Sequence, residues 1–278
     1  MTPLSPRELA LARTALGQQR AAHHLHGDAA ARQAFGLGAF EVGHAAALYA
    51  RNAPWLGANT IVNLGTLEPA TPEALAQLLS FFRDAALPFV VIVTPFAEPA
   101  DLPEQLLGAG LSPWSSHWVL ARPLSGPDIP LSQPAVAVQP LTGEQGEAVG
   151  RLMLGDGAPA EVLAFMSRPA GPHSTRYGVW AGTQLIATAE LTVAGQLAYL
   201  SGAITHPDHR QQGLQAALLQ RRLADAAALG CTVATTEVDL SNEASLRNVE
   251  RAGFVRVYQE QEFFWRPPRN AQEAETTS

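Results

Sequence analysis

At 278 residues the chain is long enough for two domains, and its 47% hydrophobic content can fill packed cores. A formal charge of −7 argues against the basic face that a nucleic-acid footprint needs, and the single cysteine, Cys231, excludes an intramolecular disulfide. The most apolar run, Leu87 to Val93, is far too short to span a bilayer, and the first turns show no signal-peptide pattern. These features predict a cytoplasmic protein that engages neither nucleic acid nor membrane, and they are compatible with an oligomer.

Ser5-Pro6-Arg7-Glu8 supplies a cap, a first-turn proline and an acid, which predicts a helix running to about His24. His23, His24 and His26 follow without a fourth ligand at useful spacing, so they read as solvated side chains and no metal is expected. Gly36 and Gly38 suggest a dinucleotide fingerprint, but Glu41 stands at the third glycine position and the reading fails. Strands and helices then alternate. Asn59 to Glu68 reads as a strand and Pro72 to Ala86 as a helix, with Leu75, Leu78, Leu79 and Phe82 at helical spacing. Pro88 to Thr94 reads as a buried strand, Leu102 to Gly108 as a short helix, and Trp118 to Pro123 as a further strand. Pro123 to Pro134 holds four prolines and no periodicity, which predicts an extended linker at 125–134.

Beyond it, Ala135 to Val138 reads as a strand, Glu144 to Leu154 and Ala160 to Met166 as helices, and Arg176 to Ala181 and Leu185 to Val193 as two more strands. Leu197-Ala198-Tyr199-Leu200 opens another strand, and a turn with Pro207 and Gly213 leads into a helix ending near Leu229. On that helix Ala216, Leu219, Leu223, Ala226 and Ala227 make an apolar stripe, leaving Arg221, Arg222 and Asp225 to solvent. Cys231 to Leu240 reads as a strand that starts on a buried, inert thiol, and Tyr258 to Arg266 closes the sheet. From Arg269 the tail at 269–278 is polar and predicted to be disordered.

The strand, glycine turn and helix around Gly213 have the geometry that binds phosphate. First-turn amides lack intrahelical acceptors, the helix dipole favours an anion, and a glycine lets it approach the backbone. Arg210-Gln211-Gln212-Gly213-Leu214-Gln215 resembles the acyl-CoA signature R/Q-x-x-G-x-G/A of the GCN5-related N-acetyltransferases (GNAT), with Gln215 at the last position and Ala216 one place late. Asn242, Ser245, Asn248, Gly253 and Phe254 fit the second part of the family frame, and the resemblance covers roughly Pro134 to Pro268. It implies acyl-CoA, acetyl-CoA foremost, as co-substrate, bound by Ile204, Thr205, Arg210, Gln211, Gln212, Gly213, Leu214, Gln215, Ala216, Asn242, Ser245 and Asn248. It also implies direct transfer of the acyl group to an amine of a small molecule or peptide, without a metal. Taken alone, Asn242 reads equally well as a plain helix cap.

The family's tyrosine would fall at Val249, and its strand glutamate is missing from Tyr199-Leu200-Ser201-Gly202-Ala203. Glu190, Glu237 and Asp239 remain as bases, Glu190 because it interrupts an apolar run. Asn248 is a contact for the leaving sulfur, and Tyr258 is a distant substitute for the acid. These departures keep a non-catalytic acyl-CoA-binding or sensor module as the alternative function. The net negative charge favours a cationic acceptor by steering.

The first half rehearses the second, down to Gly110-Leu111 where Gly253-Phe254 stands later. The predicted fold is α/β: two tandem GNAT-like domains, each a twisted mixed sheet flanked by helices. A degenerate copy is assigned to 1–124 and the acyl-CoA-binding copy to 135–268. In the first, Pro72 lacks an N–H and Glu73 repels an anion where the second offers Arg210 and Gly213.

Overall fold

The Ser5 hydroxyl accepts the Glu8 amide while the Glu8 carboxylate accepts the Ser5 amide at 2.7 Å, and this reciprocal cap starts α1 (Pro6–His26). A computed structural model describes residues 4–53, 57–124, 136–155 and 157–268. The expected linker at 125–134 and tail at 269–278 lie outside them. After α1 come elements that the sequence pattern does not announce: α2 (Ala29–Phe35), capped by Asp28, and the hairpin of β1 (Leu37–Val42) and β2 (Ala45–Ala50). β3 (Thr60–Val62) is shorter than the expected strand 59–68, because Asn63 turns to φ 63° and Gly65 to φ 72°, which ends an extended run. α3 (Pro72–Asp84) starts on a Thr71 cap and buries Leu75, Leu78, Leu79 and Phe82 as their spacing predicts. β4 (Phe89–Val93), α4 (Leu102–Gly108) and β5 (Ser112–Pro123) follow.

In the second half the strand expected at 135–138 is displaced to β6 (Gln139–Pro140), an edge strand, where a proline costs no ladder bond. Then come α5 (Gly146–Leu154), α6 (Ala160–Met166), β7 (Ser174–Ala181), β8 (Gln184–Ala194) and β9 (Leu197–Thr205). α7 (Leu214–Ala228), β10 (Val233–Asp239), α8 (Glu243–Arg251) and β11 (Val255–Trp265) complete it.

Among the described residues the strands form one sheet in the order β1-β2-β3-β4-β11-β5-β10-β9-β8-β7-β6. β3 pairs with β4 in parallel and β9 with β10 in parallel, and the other neighbours are antiparallel. Apart from β6 the halves match element by element, α1-α2-β1-β2-β3-α3-β4-α4-β5 against α5-α6-β7-β8-β9-α7-β10-α8-β11. Each half gives its last strand to the other: β11 lies against β4, and β5 against β10. The cores follow the exchange. Phe263 of β11 packs in the first-half core with Phe82 and Phe89, and Leu120 of β5 packs in the second-half core with Leu200 and Leu218. A boundary at residue 124 therefore divides the sequence but not the sheet. α1 sits over the seam, where Leu9, Ala10 and Leu16 pack with Val119, Leu197 and Tyr258.

Candidate active site

β9 and β10 pair only from Leu197 with Val233 to Leu200 with Thr236, and then part. At the parting β9 bulges: Gly202 and Ala203 stand opposite Ala189 alone, and Gly202 takes φ 61°. The bulge leaves carbonyls in need of donors, and Arg222 provides them, reaching Glu190 O at 3.1 Å and Ser201 O at 3.2 Å. Arg222 is therefore only 3% exposed, which corrects the solvent position expected from α7's polar spacing, and burial lowers its pKa to about 10. The buried face of α7 runs through Leu214, Ala217, Leu218 and Leu223, while Ala216 is exposed. His206 donates its N–H to Ile186 of β8 at 2.8 Å. Alternation along an antiparallel strand then turns the Ile204 amide to β8 and the Thr205 amide into the gap.

Past a short turn at Pro207–His209, Gln211 (φ 62°) and Gly213 (φ 74°) both adopt left-handed backbone, and Gly213 becomes the N-cap of α7. Among the described residues no side chain caps this helix end, and no acid occupies its first turn, so the first amides and the dipole are left for a ligand. Nothing among the described residues lies within 4 Å of where a Cβ on Gly213 would stand. A groove of about 1340 Å³ runs past Arg210, Gln211, Gly213, Leu214, Gln215 and Ala216. Gln212 does not border it, contrary to expectation, because the turn carries this residue to the outer surface. Gln215, where the signature has a small residue, donates to the Thr205 hydroxyl at 2.7 Å and ties the helix start to the end of β9.

The opposite wall comes from α8. Asn242 accepts the Ser245 amide at 3.1 Å, so it is a helix cap that also borders the groove, as does Ser245. Asn248 accepts from Arg251 through its Oδ1, which leaves its amide N–H groups for the groove. Val249 borders the groove without a hydroxyl to offer. Tyr258 borders neither cavity; its hydroxyl donates to Glu260 and its ring packs edge-on against Phe96, 5.4 Å between centroids. Asp239 is taken by the hydroxyl and amide of Ser241, which lower its pKa, so it serves a turn.

A second cavity, of about 410 Å³, lies between the halves with α1 as one wall. Tyr199, Ser201 and Glu237 border both the cavity and the groove, so the two spaces meet where β9 and β10 part. At that junction the Tyr199 hydroxyl donates to Glu237 Oε2 at 3.1 Å, and burial raises the tyrosine pKa. Arg13 of α1 joins Glu237 to Glu260 of β11 and passes 5.5 Å from the Tyr199 ring centroid. Glu190 borders the cavity but not the groove, and accepts Arg176 Nε at 2.8 Å. His23 and His24 border the cavity as well and are not the solvated pair that their sequence suggests, since the end of α1 lies under residues 168–174. His24 bonds Gly38 O at 3.2 Å, and burial and then Arg20 lower its pKa to about 4.

Residues 151–254 match the model of the acetyltransferase (GNAT) family. This segment is a GNAT domain. No curated protein matches the chain by sequence. Solved structures that resemble it include a GCN5-related N-acetyltransferase from Kribbella flavida, with TM-score 0.64 and 19% identity over 94% of this chain and 97% of that one. A tandem GNAT protein from the clavulanic acid biosynthesis pathway follows, with TM-score 0.60 and 13% identity over 97% and 98%. A GCN5-related N-acetyltransferase from Sphaerobacter thermophilus gives TM-score 0.57 and 12% identity over 81% and 78%. The chain has the tandem GNAT fold, and its GNAT domain contains the groove's signature loop, both parted strands and α8. The junction also draws on Arg13 and Glu260, which flank that domain on either side in sequence. Sequence reasoning missed both, and it missed Tyr199 because it sought a carboxylate on that strand. The available signal was an arginine repeated at seven-residue spacing along α1, Arg13 and Arg20.

Proposed function

We propose that the protein is an acyl-CoA-dependent N-acyltransferase in which acyl-CoA occupies the groove and the acceptor amine enters from the cavity. The observation that carries this reading is the junction: the cavity and the groove share Tyr199, Ser201 and Glu237 as walls, beside the parting of β9 and β10. In this arrangement the diphosphate rests on the uncapped amides of α7 near Arg210 and Gly213, and the pantetheine arm fills the gap and bonds the Thr205 amide. A neutral amine attacks the thioester carbon, a gap-facing amide stabilises the oxyanion, and collapse breaks the carbon–sulfur bond. Glu237 receives the ammonium proton. Tyr199, kept protonated by burial, is the O–H that can donate to the departing thiolate, whose reference pKa of about 8.5 makes full protonation unnecessary. The test is thiol release from acetyl-CoA with a panel of amines. Saturable, amine-dependent release is the expected result. Tight acetyl-CoA binding with no release under any amine would favour the sensor alternative, which the hydroxyl-free Val249 supports.

A further inference from the structure

The acceptor cavity has a charge pattern opposite to that of the whole chain. Its glutamates are all engaged: Arg13 holds Glu237 and Glu260, and Arg176 holds Glu190. Two more arginines border the same space, Arg20 of α1 and Arg168 after α6, so the cavity has one more arginine than glutamate. Among the described residues neither of these guanidiniums makes a hydrogen bond or ion pair. Arg168 lies on the Phe165 ring, 3.5 Å from its centroid, a contact that orients the guanidinium plane without supplying an oxygen. Arg20 is exposed although it sits deep between the halves, and the cavity is what it is exposed to. Desolvation between the halves lowers the pKa of both, that of Arg168 to about 10 with Arg176 and Arg20 adding to the effect; a guanidinium keeps its charge in proteins. Of the neighbouring histidines, His24 is neutral above about pH 4 and burial lowers the pKa of His23 too.

Two adjacent cations in a protein-walled space are costly until an anion joins them. Position narrows the anion's place. Arg13 and Arg20 lie seven residues apart, on one face of α1 and roughly 10 Å apart along its axis. Arg13 marks the junction, and Arg20 marks the far end. We propose that the acceptor is an amine that also carries a carboxylate several bonds away, its nitrogen directed to Glu237 and Tyr199 and its carboxylate paired with Arg20 and Arg168. The single excess positive charge matches a monoanion better than a phosphate dianion, and an α-amino acid is too short to span both ends. This rests on the proposed acyl transfer for the role of the amine. The carboxylate site stands on the arginines alone.

The experiment compares 6-aminohexanoate with hexylamine, first as ligands of the CoA-loaded protein by calorimetry and then as acceptors in thiol release. The carboxylated amine is expected to bind and to react, as kcat/KM, about tenfold better or more, the scale of charge-assisted hydrogen bonds. Arg20→Gln and Arg168→Gln should each collapse that preference toward one, and Arg20→Lys, which keeps the charge, should retain part of it. Equal binding of the two amines to the native protein, or a preference that survives both glutamine variants, overturns the proposal. If 6-aminohexanoate binds through the arginines but no amine releases thiol, the carboxylate site stands and the acyltransferase reading falls. If both amines are acylated equally, the reverse holds.

Discussion

Apart from the edge strand β6, the two halves have the same elements in the same order, and they differ most at one matched pair of places. In the second half β9 and β10 part into an open groove, and α7 begins on Gly213 with no side-chain cap. In the first half the corresponding gap is filled by the chain itself. The loop after β4 lies across it, Glu98 donating to Gly65 O at 2.8 Å and accepting from Ala70 at 2.7 Å. α3 begins on Thr71, whose hydroxyl takes the Ala74 amide at 3.1 Å, with Pro72 and Glu73 in the first turn. A Cβ on Gly65 would meet Glu98 O at 2.7 Å, where one on Gly213 would meet nothing. One copy has spent on its own backbone the hydrogen bonds that the other leaves for a ligand. The closed copy supplies walls instead: Val62, Asn63 and Thr94 from its strand ends and α1 from its start all border the acceptor cavity.

The comparison breaks most completely at the exchanged strands. We predict that residues 1–124 do not fold alone, because without β11 they lose Phe263 from the core and expose β4 as an edge. Co-expression with residues 136–278 should restore a soluble complex. Cooperative thermal unfolding of the first fragment by itself would mean that the exchange contributes little.

The next effect is on binding. Gly213→Glu should abolish acetyl-CoA binding in a folded protein, through a side chain and charge in the groove and a left-handed backbone that disfavours any residue with a Cβ. Titration of the native chain should give one acetyl-CoA per chain. A stoichiometry of two would show that the gap between β3 and β4 opens after all.

Chemistry comes third. Glu237→Gln should lower turnover by about 10²–10⁴-fold, the usual contribution of a general base, with acetyl-CoA affinity little changed. Glu190→Gln should lower it less, since Glu190 borders only the cavity. The opposite order in steady-state kinetics would return the base to β8.

The smallest effect sharpens the role of the shared wall. His24 has an ordinary pKa of 6.5 and a folded value of about 4, so between those values the unfolded chain binds a proton that the folded one does not. Stability should be fully present above about pH 6.5 and fall toward pH 4, by at most about 1.4 kcal/mol per pH unit from this group. Chemical denaturation of His24→Gln across this window should show a flatter slope, and an unchanged slope would exclude His24 as the source.

Local chemistry determined much of this protein from sequence alone. The Ser5 capping box, the Leu75–Phe82 stripe, the two βα units and the glycine turn at Gly213 are short-range features whose backbone needs are written in neighbouring residues. The groove's loop and the Asn242 cap were legible for the same reason. The hairpin of β1 and β2 was not, because the alanine-rich β2 takes its stability from burial on both faces and carries no alternation. Nor was the place of Arg222, a charged residue of α7 buried by the needs of a bulge on β9. The exchange of β5 and β11, and the joining of Arg13 to Tyr199, Glu237 and Glu260, rest on pairings between residues more than a hundred positions apart. Such pairings depend on which surfaces meet when the sheet closes, and that was decided only in the tertiary structure.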